Sequence, residues 1–180
     1  MLINDIIKYE TDLKMLMGKK GIEIVAAKID VNEVIADLDK AYADEWCAHY
    51  QYWLAAHWVS GLNADPVSSR LTTQSADELM HAERFANRIM ELGGEPEMDF
   101  ASLPKVSAGG YKAPPKDPSD LKQVIQDVID AERGAVDFYN KMTEKYKDKD
   151  YVTHELFKTV LLDEVSDEDE WEDLLAQQPN

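Results

Sequence analysis

The chain has 180 residues, enough for one domain with a sizeable core and too few for two of usual size. Its 36 acidic and 19 basic residues give a formal net charge of −17, which repels nucleic acid and anionic lipid and attracts cations. A single cysteine excludes an internal disulfide and a paired-cysteine zinc or rubredoxin module, and there is no run of about 18 apolar residues, so a cytoplasmic protein with no membrane and no nucleic-acid partner is expected.

Residues 1–30 stand apart as an N-terminal extension. Within them, "INDIIKYETDLKMLM" spaces apolar residues at a roughly helical period, predicting a short amphipathic helix packed on the rest of the chain or on a neighbouring subunit. Strand signals are nearly absent beyond this point. Helical spacing is sustained over four long segments, so the predicted class is all-α, with residues 31–177 forming one four-helix bundle. The first helix is predicted from about Val31 to Ser60, before Gly61. Asp65 and Pro66 read as the N-cap and first position of the second, which stops at Gly93-Gly94. The third is predicted to start near Asp117-Pro118 and fade in "EKYKDKD", and the fourth to run from about Asp150 to Ala176.

Short links make helices one and two a hairpin, and likewise three and four. Between the hairpins, "GGEPEMDFASLPKVSAGGYKAPPKD" holds four of the eight glycines and four of the seven prolines. A helix of about 28 residues is about 42 Å long, and an extended segment of this size, at about 3.3 Å per residue, spans it. The linker therefore reads as a crossover running the length of the bundle.

Each predicted inward stripe carries a carboxylate near its middle: Glu45, Glu78, Glu132 and Glu164, among residues such as Leu38, Leu71, Ile125 and Val160. One buried glutamate is satisfied by a hydrogen bond or a raised pKa. Four at one level call for a bound cation, because like charges in low dielectric cannot all stay ionised. A step of three residues turns a helix by only about 60° from the same face, which brings His81 beside Glu78 and Asp167 beside Glu164. The two hairpins also repeat one another. Tyr52 follows Glu45, and Tyr139 follows Glu132, at the same interval, and "DELMH" is echoed by "DEVSD". A pseudo-twofold relation between hairpins would build one site for two metals.

These six positions resemble those of the ferritin-like di-iron carboxylate family, in which one glutamate from each of two helices joins Glu-x-x-His from each of the others. The resemblance covers about residues 31–176 and is strongest to the bacterioferritin and Dps-like branches, on "AHYQYW" at 48–53 and "DYVTHELFKTVLLDE" at 150–164. It implies a ferritin-like four-helix bundle acting as a ferroxidase. Such a protein oxidises Fe(II) with O2 or hydrogen peroxide for iron storage or detoxification in a homo-oligomeric shell, and the short tail "AQQPN" favours a dodecamer. Carried over by position, Glu78 and Glu164 bridge two irons, Glu45 and His81 complete one, and Glu132 and Asp167 complete the other. These six are the expected catalytic and metal residues, with manganese as an alternative metal.

Three features depart from the family pattern. Asp167 stands where the second histidine is found and hardens that half of the site. Leu79 occupies the position of the bacterioferritin haem methionine, so no haem is expected. Gly109, Gly110 and Gly134 lie where some Dps-like proteins carry a cysteine pair. A rubrerythrin-like peroxidase without a rubredoxin domain is an alternative, although its extra glutamate, expected near the position of Ala135, is not seen; a metal-stabilised structural or DNA-protecting assembly is another, opposed by the net charge. Tyr52 and Tyr139 read as hydrogen-bond donors to the glutamates, and His49 as a hydrogen-bonded core histidine with a third-metal role as the alternative. The acidic run from Asp163 to Asp173, eight carboxylates in eleven positions, reads as a solvated face or an iron-attracting surface.

Overall fold

A computed structural model describes residues 21–25 and 28–178, so the segment "INDIIKYETDLKMLM" lies outside the described residues. The described elements are helices throughout: α1 Gly21–Val25, α2 Val31–Trp58, α3 Ala64–Glu91, α4 Leu103–Val106, α5 Leu121–Tyr146 and α6 Tyr151–Ala176. The four long helices are those expected from the sequence. No described helix is long and apolar enough to cross a membrane.

Local chemistry sets the boundaries. Asp30 opens α2 from extended backbone, its carboxylate accepting from the Asn32 N–H at 3.0 Å. Asp150 does the same for α6, accepting from the Val152 and Thr153 N–H groups, and it is buried against Arg88 Nη2 at 2.9 Å. Two predicted starts are corrected. Helix α3 begins at Ala64, not after Asp65, because Gly61 and Asn63 both take left-handed backbone and close a tight turn. Pro66 then falls in the first turn, where its missing N–H has no intrahelical partner to lose. Helix α5 begins at Leu121 with Asp120 as its cap, since the Asp117 carboxylate is taken by the Ser119 N–H and hydroxyl. Helix α3 ends where Gly93 turns left-handed at φ 81°, and Gly94 packs so closely on Ile35 that a Cβ would lie 2.8 Å from Ile35 Cδ1.

Helices α2 and α3 pack along each other, as do α5 and α6, and the hairpins meet chiefly across α3 and α6. Residues 92–120 form the crossover. It is pinned to α2 in order: the Glu97 N–H donates to Asp39, Gly109 N–H to Asp44, Lys112 N–H to Gln51, and Trp58 Nε1 to the Pro115 carbonyl. The linker thus follows α2 over most of its length, and this long connection lets two antiparallel hairpins share one core.

The described core has two large apolar clusters and a small third one, Ala43, Cys47 and Leu103, where the crossover packs on α2. One large cluster holds Tyr52, Val67, Leu71, Ile125, Val128 and Trp171; the other holds Leu38, Phe85, Ile89, Tyr139, Phe157 and Val160. Ile22 of α1 packs against the second cluster. The carboxylate level lies between the two.

Candidate metal centre

Glu45, Glu78, Glu132 and Glu164 are all buried, each exposed by 3 % or less. They come from α2, α3, α5 and α6 respectively, so every long helix contributes one acid to the centre. One ligand atom each from Glu45, Glu78, His81 and Glu164 can be chosen so that all lie within 4.8 Å of one another. His81 is the hub. Its Nδ1 is 3.3 Å from Glu78, 3.3 Å from Glu164 and 3.7 Å from Glu45, while its Nε2 is 3.2 Å from Asp163 Oδ2 on the outer side. Asp163 therefore fixes the ring so that Nδ1 faces the acids.

The other predicted residues sit around this group. Glu132 receives the Tyr52 hydroxyl at 2.6 Å, and Tyr139 donates to Glu45 in the mirror-related contact. Asp167 is partly buried and held by Arg70 Nη2 at 2.6 Å and Gln74 Nε2 at 2.7 Å. His49 is not in the cluster; its Nδ1 donates to the Ser75 carbonyl at 2.7 Å.

Two ionised carboxylates about 4 Å apart repel by about 4 kcal/mol even at an effective dielectric of about 20. The metal-free centre answers this by protonation. Burial, reinforced by the charge of Glu78, pushes the Glu45 carboxyl well above the usual range, and Glu164 is raised by burial and by Glu78 and Glu132. Glu132 is pushed up to about 8, by burial and then by Glu78. Glu78 alone of the four is lowered: burial opposes its charge, but the His81 ring 3.3 Å away and contacts from Glu45 and Gln74 outweigh it. The His81 pKa is raised, with burial overcome by contacts to Glu164, Glu45 and Glu78. Among the described residues, His81 Nδ1, Glu132 Oε2 and Glu164 Oε1 are buried polar atoms without a hydrogen-bond partner, and all three are at the centre. Unpartnered buried atoms of this kind, in a group offering one imidazole nitrogen and three carboxylates, fit a divalent transition metal.

A cavity of about 490 Å³ reaches the acids between α2, α5 and crossover residues 108–112. Gly134 and Ala131 on α5 keep its wall low, and a Cβ on Gly134 would meet nothing within 4 Å. A second cavity, of about 280 Å³, lies between α3 and α6 and is lined by Asp77, His81, Asp163 and Asp167.

Residues 35–179 match the family described as Ferritin, ferritin-like domain. The chain belongs to the ferritin-like family. Within it, the chain is 27% identical over 152 residues to a DNA protection during starvation protein of Pyrococcus furiosus, covering 84% of this chain and 82% of that one. It is 29% identical over 133 residues to a bacterioferritin of Desulfovibrio desulfuricans, covering 73% and 68%. Among solved structures, a dodecameric thioferritin, the bacterioferritin-related protein from Bacteroides fragilis, superposes with a TM-score of 0.81 at 29% identity, over 86% of this chain and 91% of that one. The buried Glu/His group is thus a candidate metal site in a ferritin-like, bacterioferritin- and Dps-related bundle.

Three contributors escaped the sequence reading. Gln74 and Arg70 are absent from the site expected from the sequence, and Asp163 reads there only as part of the acidic run. Gln74 had a signal: four residues before Glu78 there is an amide, whereas four residues before Glu164 there is Val160. Asp163 is half exposed within an acidic run and had none.

Proposed function

We infer that the protein is a ferroxidase that binds two Fe(II) ions at Glu45, Glu78, His81, Glu132, Glu164 and Asp167 and oxidises them with O2 or hydrogen peroxide, for iron storage or detoxification. The observation that carries this reading is the buried Glu45–Glu78–His81–Glu164 group, whose donor atoms lie within 4.8 Å of one another. Glu45, His81, Glu78 and Glu164 hold the first ion, and Glu132 and Asp167 complete the position of the second, with Glu78 and Glu164 shared.

Two Fe(II) ions supply two electrons. With hydrogen peroxide and two protons they yield two Fe(III) and two waters; with O2 and two protons they yield two Fe(III) and one hydrogen peroxide. An oxygen-rich, anionic donor set stabilises Fe(III) more than Fe(II), which favours oxidation. Protons held by Glu45, Glu132 and Glu164 in the metal-free state leave as iron enters, so the carboxylates become ligands without a net excess of buried charge. The cavity beside Gly134 gives small solutes a route to the acids. We further infer a homo-oligomeric shell, with the dodecamer favoured by the likeness to the Bacteroides fragilis protein.

Aerobic Fe(II) titration with light scattering tests this. A large assembly that consumes O2 or peroxide and retains many irons per subunit supports storage by ferroxidation. A small assembly that turns over peroxide while holding only two metals per chain would overturn it in favour of a peroxidase, and inert metals would leave a structural role.

A further inference from the structure

Gln74 is fully buried on α3, one turn before Glu78. Its amide nitrogen lies 2.7 Å from Asp167 Oδ2, 2.9 Å from Glu78 Oε1 and 3.5 Å from Glu132 Oε1. The orientation is fixed from behind, where Trp171 Nε1 donates to Gln74 Oε1 at 3.3 Å. An amide nitrogen carries two hydrogens for these three acceptors, and Glu132, the most distant, keeps one oxygen unpartnered. From the outer side, Arg70 Nη2 takes the remaining Asp167 oxygen at 2.6 Å. Both oxygens of Asp167 are therefore engaged by positive or partly positive nitrogen.

The other half of the centre has no such group. Counting back from Glu164 as from Glu78, the equivalents of Gln74 and Arg70 are Val160 and Leu156, and the equivalent of Trp171 is Phe85. Val160 and Phe85 are fully buried apolar residues. The pseudo-twofold that pairs the crossed tyrosines is thus broken on one side only, by an amide aimed at the acids assigned above to the second ion.

We propose that Gln74 and Arg70 form a gate on the second metal position, standing in for a cation at Glu78, Glu132 and Asp167 until a second divalent ion displaces them from Asp167. This inference rests on the ferroxidase reading and concerns the regulation of the same site. Metal binding is then sequential. The first Fe(II) enters the group around His81, where the Gln74 amide reaches Glu78 alone and Arg70 reaches none of the four ligands; the second must break the Gln74 and Arg70 contacts to Asp167. A lone iron is held without its oxidation partner until Fe(II) is plentiful, which gives the two-electron reaction a concentration threshold.

Calorimetric titration of the whole protein with Fe(II) under anaerobic conditions reads this directly. One ion per chain is expected to bind tightly and a second at least about tenfold more weakly, within the range by which outer hydrogen-bond partners alter metal affinity. Gln74→Leu and, independently, Arg70→Gln tighten the second step by about tenfold and move the first by less than about threefold. Arg70 is reached from outside the core, so Arg70→Gln decides the matter should Gln74→Leu fail to fold. Two ions of equal affinity in the unmodified protein, or a second step unchanged or weakened in Arg70→Gln, would overturn the gate and leave the ferroxidase reading standing. Failure to bind iron at all would overturn both.

Discussion

The Tyr52 hydroxyl on α2 donates to Glu132 on α5 at 2.6 Å, and Tyr139 on α5 donates back to Glu45 on α2. Each tyrosine therefore serves the glutamate of the other hairpin, and the exchange ties the two hairpins together at the level of the acids. Both phenols are fully buried, and burial followed by the nearby carboxylates raises their pKa values well above the usual range, so they remain donors. Tyr139→Phe is expected to leave a buried acid with one donor fewer and to lower stability by about 1–3 kcal/mol. For a chain of this size that is a fall in Tm of roughly 2–4 °C per kcal/mol, read by thermal denaturation of the metal-free protein. An unchanged Tm in both Tyr52→Phe and Tyr139→Phe would remove the tie.

Glu132 gives the centre a pH dependence. Its carboxyl, near 4.5 when exposed, is pushed up to about 8, by burial and then by Glu78. The folded state thus holds this proton more tightly than the unfolded one. The associated stability is complete below about 4.5 and is lost as pH rises through about 8. The metal-free protein should lose thermal stability across that window, and Glu132→Gln should flatten the loss. Metal requires the deprotonated form, so affinity should rise over the same window with release of protons, measured by calorimetry in two buffers of different ionisation enthalpy. A Glu132→Gln profile parallel to the unmodified one would assign the slope to general self-repulsion of the acidic surface.

Two acids of the same group should behave differently on neutralisation. Burial and neighbouring charge keep Glu164 protonated in the metal-free state, so an amide resembles what is already there. Glu164→Gln is expected to change metal-free stability by less than about 1 kcal/mol. Glu78 carries the charge that His81 faces, and Glu78→Gln should cost about 3 kcal/mol by breaking a buried pair. Both should abolish tight metal binding. Equal Tm losses in the two variants would contradict the assignment of charge.

Asp163 acts through His81. Its carboxylate is 3.2 Å from Nε2 and half exposed, so Asp163→Asn should leave the fold intact while weakening the first metal by about 10- to 100-fold. Equilibrium dialysis with Fe(II) or Mn(II) checks this, and unchanged affinity would show that the ring needs no external orientation.

Helix existence and the inward position of the four glutamates were legible because both follow from apolar periodicity and residue type. Starts such as Ala64 and Leu121 were less so: Asn63 and Gly61 solve the turn before α3 with left-handed backbone, and Asp117 and Asp120 compete for the same capping work before α5. The crossed tyrosine pairing could not be read from one helix at a time, since it depends on how the hairpins oppose each other. Apart from Glu164 and Asp167, the acidic run from Asp163 to Asp173 reads as one surface in the sequence. In the fold its members point around α6: Asp163 to His81, Glu164 into the core, Asp167 to Arg70 and Gln74, Glu170 to Arg70, and Glu168 and Glu172 to Arg133. Helical geometry disperses what sequence adjacency groups.

The most direct test is anomalous diffraction at the iron edge from crystals loaded anaerobically with one Fe(II) per chain. The expected result is a single strong peak coordinated by Glu45, Glu78, His81 Nδ1 and Glu164. Iron found elsewhere, with these four side chains still in their metal-free contacts, would contradict the account.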